Sequence, residues 1–148
     1  MSASGAGYSG TPLGRKLGIK EGHRVATLGA PDGFAALLDP LPASVDLVAD
    51  PADDRPCDVI IAFVPVAGAL EGRFARGHEL LDPYGGLWIA WPKQSSALAT
   101  EFRESDVRAH GLATGLVDNK ICAVDADWSG LRFVVRTEHR PPRPRIRR

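Results

Sequence analysis

The fold is decided by one stretch of the chain, Gly85-Gly86-Leu87-Trp88-Ile89-Ala90-Trp91-Pro92-Lys93. Two glycines open it, apolar and aromatic residues fill it, and a proline and a lysine close it. Short apolar runs bounded by such residues are typical of buried β-strands. In an open α/β sheet the carboxyl ends of the strands border the ligand crevice, so Trp91 and Lys93 are expected to lie beside a ligand.

Three apolar runs earlier in the chain predict further strands, at residues 24–29, 45–49 and 58–64. The last run is almost continuously apolar, which is typical of a parallel strand covered on both faces. The link between the second and third strands, residues 50–57, is too short for a helical crossover, which normally takes about a dozen residues or more. One strand–helix unit of an ordinary parallel sheet is therefore predicted to be missing here.

Helical spacing of apolar residues predicts a helix over 66–81 and another over 100–110, the second ended by Gly111. Shorter helices are predicted from Thr11 and from Phe34. Strands alternating with helices favour a parallel sheet with helices on both faces.

The end of the chain follows a different pattern. Residues 127–130 are predicted to form a turn that joins a strand around 121–124 to a last strand at 131–136. Strands joined by so short a connection are antiparallel neighbours. The sequence therefore predicts a three-layer, Rossmann-like α/β fold: a largely parallel sheet with a C-terminal antiparallel hairpin.

Length and composition indicate one domain, over residues 11–136, between a flexible N-terminal segment, 1–10, and a disordered basic tail rich in proline and arginine, 137–148. The 148 residues are 44% hydrophobic and 24% charged, as in globular proteins. The sequence has no membrane-span pattern and no secretory signal, and its two cysteines are expected to be buried thiols. A cytoplasmic location is therefore expected.

Three features carry a resemblance to a known fold family: the loop Leu28–Gly33 after the first strand, Asp50 after the second, and the turn Leu81–Gly86 before the deciding stretch. Over roughly residues 20–136 the chain resembles the methyltransferase branch of Rossmann-like folds. The resemblance implies an S-adenosylmethionine site in which Asp50 corresponds to the acid that binds the ribose.

Five shorter motifs are more specific: Tyr8–Leu13, Leu28–Phe34, Trp91–Lys93, Gly115–Lys120 and Trp128–Leu131. By these the chain is similar to an uncharacterised bacterial family, a domain of unknown function of the 3052 series. That resemblance implies no particular activity.

The first loop departs from the methyltransferase pattern. Thr27 stands where that family usually has an acid, and only Gly29 and Gly33 remain of three closely spaced glycines, with Pro31 between them. Because proline lacks an N–H, it removes a hydrogen-bond donor from the loop. These departures favour a non-enzymatic or degenerate module that binds a small molecule or nucleotide, without tight binding of S-adenosylmethionine. The alternative is an S-adenosylmethionine-dependent methyltransferase; a further alternative is an interaction or regulatory protein that uses its surface and basic tail.

The candidate ligand-binding residues fall into two groups. The loop residues Gly29, Asp32 and Gly33 either cradle a phosphate or carboxylate or form a tight turn with Asp32 as helix cap. The second group comprises Trp91, Lys93, Asp118, Asn119 and Lys120.

In the second group, Lys93 or Lys120 is expected to lie near Asp118 or Asp32, in a concave region beside Trp91. The alternative for Asp118 and Asn119 is a bulge or turn. No catalytic set and no metal-ligand spacing is visible. Contact with nucleic acid through Arg140–Arg148 is the less favoured use of the basic tail.

Overall fold

A computed structural model describes residues 11–143. The predicted N-terminal segment, the motif that begins at Tyr8 and the end of the basic tail lie wholly or partly outside these residues. The elements, in chain order, are α1 (Leu13–Lys16), β1 (Arg24–Leu28), α2 (Phe34–Leu37), β2 (Asp46–Ala49), β3 (Cys57–Phe63), a 3-10 turn (Ala67–Ala69), α3 (Leu70–Leu80), β4 (Leu81–Pro92), α4 (Glu104–Ala113), β5 (Val117–Ala123), β6 (Trp128–Val134) and a second 3-10 turn (Thr137–His139).

One six-stranded sheet runs in the order β2-β1-β3-β4-β6-β5. The first four strands in this order are parallel to one another. The next strand, β6, is antiparallel to both of its neighbours, β4 and β5. This confirms the predicted fold class, including the central position of the deciding stretch. The chain passes from β2 over β1 to β3 through residues 50–56, which hold no helix, as the short link predicted.

Both faces of the sheet are covered, which makes three layers. The face that carries Leu87 and Ile89 packs against α3 and α4, with Phe74 and Phe133 in edge-to-face contact at 5.2 Å. The opposite face packs against α1, α2 and their loops. There the fully buried Trp88 donates its ring N–H to the carbonyl of Leu17 at 2.9 Å, which satisfies its polar atom.

The second long helix differs from its prediction, because α4 continues through Gly111 to Ala113. A Cβ at Gly111 would lie 2.0 Å from the ring of Phe133, so this glycine lets the helix approach the sheet. The chain leaves the helix instead at Gly115, whose φ of +96° favours glycine.

Three strands are longer than predicted, and one of them is β5, which begins at Val117 rather than near Ile121. β4 begins at Leu81, directly after α3, and its pairing with β3 shifts register between Cys57 and Val59. β6 begins at Trp128, so residues 128–130 are strand rather than turn. In β6, Gly130 faces Ala90 of β4 across the pair.

The first residues of the basic tail pack against the amino end of β4. The side chain of Arg140 donates to the carbonyl of Val135 at 2.9 Å, and the guanidinium of Arg143 lies 4.0 Å from the centre of the Tyr84 ring. Across residues 11–143 the structure has no helix that is both long enough and apolar enough to cross a membrane.

Candidate functional site

The strand order changes direction at β1, because β2 lies on one side of it and β3 on the other. In open α/β sheets a ligand crevice forms outside the carboxyl ends of the strands at such a point. A cavity of about 330 Å³ lies here, which we call the switch-point cavity. It is lined by Leu28, Asp50, Gly68, Ala69, Gly72, Arg73 and Arg76.

Asp50 reaches this cavity because it directly follows β2, where it adopts a positive φ of +45°. Aspartate is one of the few residues that tolerate this backbone region. Its Oδ1 accepts the backbone N–H of Gly29 at 3.0 Å. The carboxylate therefore ties the loop after β1 to the end of β2.

Arg73 of α3 reaches the carboxyl ends of two strands. Its Nη1 donates to the carbonyls of Leu28, at the end of β1, and Phe63, at the end of β3. A Cβ at Gly29 would lie 1.8 Å from this Nη1, and Gly29 has a φ of +62°. Gly29 is therefore needed both for its backbone conformation and for the space that the guanidinium fills.

Arg76, one turn further along α3, holds the link of residues 50–56. It pairs with Asp54 at 2.7 Å and Glu79 at 2.9 Å, and it donates to the carbonyls of Pro51 and Asp53. Its bonds to Asp54 and Glu79 raise the pKa of the guanidinium above its ordinary value. The link is thus fixed in place although it contains no regular element.

The buried Arg24 fastens the same link from β1. Its guanidinium donates to the carbonyl of Arg55 at 3.0 Å and to the carboxylate of Asp53 at 3.1 Å. The N–H of Arg55, and then the bond and charge of Arg24, hold the pKa of Asp53 below its ordinary value of 3.8.

The first group of predicted residues does not line the switch-point cavity, although Gly29 contacts two residues that do, Arg73 and Asp50. Asp32 is exposed and does not cap α2, whose N-cap residue is Gly33, with a φ of +85° and no side-chain bond. The expectation that Asp32 caps this helix was wrong, because the left-handed Gly33 occupies the cap position.

Trp91 and Lys93 of the second group line a different cavity of about 480 Å³, together with Arg103 and Arg108 of the α4 region. The ring of Trp91 is mostly packed in the core, since the residue is only 5% exposed. It therefore offers little of the flat surface that the sequence suggested.

The other three residues of the second group have separate partners along β5. Asp118 pairs with Arg108 at 3.1 Å, Asn119 accepts from Arg132 at 3.3 Å, and Lys120 donates to the carbonyl of Lys16 at 3.2 Å. Among residues 11–143 neither Lys93 nor Lys120 forms a direct ion pair with Asp118 or Asp32. The strand shifts register between Asp118 and Lys120, in agreement with the bulge weighed as the alternative.

A third cavity, of about 490 Å³, lies at the start of α3 and is mainly apolar; we call it the apolar cavity. It is lined by Val66, Ala67, Leu70, Thr100, Glu101, Phe102 and Asp106. The 3-10 turn Ala67–Ala69 contributes lining residues to both this cavity and the switch-point cavity.

Sequence reasoning missed Arg73 and the apolar cavity. Arg73 lies one position before the buried Phe74 and reads as a solvent-facing helix residue. Its partners are main-chain carbonyls at two strand ends, which leave no residue-type signal.

No family model matches the chain, and no curated protein matches it. Solved structures do. The chain is similar to a TehB-like S-adenosylmethionine-dependent methyltransferase from Corynebacterium glutamicum, at 13% identity and a TM-score of 0.54 over 84% of this chain and 85% of that one. It is also similar to an S-adenosylmethionine-dependent methyltransferase from Aquifex aeolicus, at 12% identity and a TM-score of 0.54 over 80% and 85%.

A third similar structure is the glycopeptide N-methyltransferase MtfA complexed with sinefungin, at 12% identity and a TM-score of 0.54 over 84% of each chain. The chain shares its fold with these three proteins. This corrects the primary functional prediction, the non-enzymatic or degenerate binding module: the structures that share the fold over most of both chains are methyltransferases, and they favour the stated alternative.

Proposed function

We propose that the chain is an S-adenosylmethionine-dependent methyltransferase. One observation carries the proposal: the carboxylate of Asp50 stands at the end of β2, on the wall of the switch-point cavity, in a fold shared with methyltransferases. Two expectations from the sequence stay predictions: the resemblance to the domain-of-unknown-function family and the cytoplasmic location.

The residues of the switch-point cavity fit this cofactor. The Oδ1 of Asp50 is bonded to Gly29, and a carboxylate has further lone pairs with which to accept the ribose hydroxyls. A Cβ at Gly68 or Gly72 would meet no atom within 4 Å, so these glycines leave open space beside a flat base. Because Pro31 lacks an N–H, we expect Asp50 rather than the loop after β1 to supply most of the recognition.

When bound, S-adenosylmethionine supplies a methyl group that a nucleophilic atom of the acceptor can take. The apolar cavity is the proposed acceptor site, since residues of the 3-10 turn Ala67–Ala69 line both this cavity and the switch-point cavity. Leu70 and Phe102 would bind an apolar part of the acceptor, and the burial of this part would exclude water.

Binding of S-adenosylhomocysteine tests the proposal without a known acceptor. We expect this ligand to raise the free energy of unfolding, by about 2.7 kcal/mol at 100 times its dissociation constant. Asp50→Asn keeps an oxygen for the N–H of Gly29 but removes the charge, and should weaken binding about tenfold, the loss expected for a hydrogen bond to a charged group.

Asp53→Asn is the matched control, because Asp53 contacts Arg24 and the link rather than the cavity. Its affinity for the ligand should equal that of the wild type. An absence of stabilisation by S-adenosylmethionine and S-adenosylhomocysteine at millimolar concentration would overturn the proposed function.

A further inference from the structure

Arg73 has different partners from three other arginines on its face of the sheet. Arg24, Arg76 and Arg108 each pair with at least one carboxylate, whereas among residues 11–143 no carboxylate lies at ion-pair distance from Arg73. Yet Arg73 is half-buried at the wall of the switch-point cavity. A half-buried cation without an anionic partner favours an anionic ligand in the cavity that it lines.

The guanidinium also retains free donors. Nη1 is bonded to the carbonyls of Leu28 and Phe63, while Nη2 and Nε have no acceptor within the described part of the chain. Because the two carbonyls fix the plane of the group, the remaining N–H donors are held in one orientation before a ligand arrives. A planar fork of this kind matches a carboxylate or a phosphate.

Arg73 and Asp50 line the same cavity and have opposite charges. Asp50 suits the hydroxyls of a ribose, and Arg73 suits an anionic group attached further along the same ligand. The two side chains therefore favour a ligand that contains an uncharged ribose, to contact Asp50, and an attached anionic group, to contact Arg73.

We propose that Arg73 binds the carboxylate of the amino-acid part of S-adenosylmethionine and thereby selects ligands that carry this part. The inference rests on the proposed function. A phosphate attached to the ribose, as in adenosine 5′-monophosphate, presents the same chemistry to a guanidinium, and the experiment separates these two sources of the anion.

The test compares three ligands by calorimetry: S-adenosylhomocysteine, 5′-methylthioadenosine, which lacks the amino-acid part, and adenosine 5′-monophosphate. The wild type should bind S-adenosylhomocysteine at least about tenfold more tightly than 5′-methylthioadenosine, the ratio expected for one charge-assisted hydrogen-bonded pair. In Arg73→Met this ratio should fall to near one, mainly through loss of S-adenosylhomocysteine affinity.

Arg73→Lys keeps the charge without the fork and should give an intermediate ratio. If circular dichroism shows that Arg73→Met folds poorly, the ratio measured for Arg73→Lys still tests the proposal. Arg108→Met is the matched control, because it removes an arginine of α4 that pairs with Glu104 and Asp118 and does not line the switch-point cavity. It should keep the wild-type ratio.

The outcomes separate the two proposals. Equal ratios in wild type, Arg73→Met and Arg73→Lys would overturn the role of Arg73 and leave the proposed function standing. Tight binding of adenosine 5′-monophosphate that depends on Arg73, with no preference for S-adenosylhomocysteine, would assign the anion to a phosphate and overturn the carboxylate. Failure of both adenosyl thioethers to bind the wild type would overturn the proposed function and this inference with it.

Discussion

Two arginines of α3, three positions apart, line the same cavity but have different partners. Arg76 bonds the link of residues 50–56 through the carboxylate of Asp54 and two carbonyls, and it also pairs with Glu79 of its own helix. Arg73, by contrast, contacts carbonyls alone. The link supplies its own counterions, whereas the cavity leaves a cation without one.

This difference separates a structural role from a binding role. A link without a helix has few regular backbone bonds, so side chains such as Arg24 and Arg76 bond its carbonyls instead. At the cavity, Asp50 and Arg73 use only part of their bonding capacity within the chain. We therefore expect substitutions of Arg24 and Arg76 to change mainly stability, and substitutions of Asp50 and Arg73 to change mainly ligand affinity.

The largest effect on stability is expected for Gly29→Ala, in the loop after β1. The left-handed backbone costs alanine about 1 kcal/mol, and the displaced guanidinium of Arg73 would lose two bonds to carbonyls, for a total of about 2–3 kcal/mol. Urea unfolding measures the loss. In an Arg73→Met background the same substitution should cost only about 1 kcal/mol. Equal losses in both backgrounds would contradict the contact between Gly29 and Arg73.

Arg24→Met should destabilise the link by about 2 kcal/mol, because it removes a charged hydrogen bond to the carbonyl of Arg55 from a buried position. Arg55→Met is the control, since the side chain of Arg55 is exposed, and its effect should stay within about 0.5 kcal/mol. The measurement is again urea unfolding, without ligand. Equal losses for the two variants would mean that Arg24 does not fasten the link.

Arg76→Met should cause a smaller loss than Arg24→Met. Its carboxylate partners are largely exposed, Asp54 at 82% and Glu79 at 63%, so water screens these pairs. The ionic part of the loss should vanish in 1 M NaCl, where the Debye length is about 3 Å. For Arg73→Met, which removes no ion pair, the change in urea midpoint should be the same at low and high salt. A salt-dependent loss there would reveal a counterion of Arg73.

The smallest expected effect is a pH dependence at Asp53. Its lowered pKa means that the folded chain favours the ionised form, so this contribution to stability is present above the ordinary pKa of 3.8 and is lost as the pH falls below it. Asp53→Asn should therefore flatten the fall in unfolding free energy between about pH 5 and pH 3. Identical pH profiles for variant and wild type would contradict this assignment.

The fold was largely predictable because buried strands leave a local signal. The apolar runs of β1, β3 and β4, the antiparallel hairpin and the missing crossover helix can all be read from short stretches. Gly111 was wrongly predicted to end α4. A glycine is required there because the ring of Phe133, on the neighbouring strand of the sheet, leaves no space for a side chain.

The site was far less predictable. Asp50 could be placed through the resemblance, because an acid directly after a strand is a local feature. Arg73 could not be identified from the sequence, because its hydrogen-bond acceptors are backbone carbonyls, which any residue can supply. Asp118, Asn119 and Lys120 were grouped because they are adjacent in sequence, but their partners lie on α4, β6 and α1.

The position of β6 between β4 and β5 has a consequence for synthesis on the ribosome. The edge of β4 that faces away from β3 pairs with β6, from Leu87 to Pro92. At about 5–20 residues per second, a nascent chain exposes this apolar edge for seconds before β6 has been made. The deciding stretch is therefore also the segment that most needs protection, by a chaperone or by the ribosome surface, while the chain is incomplete.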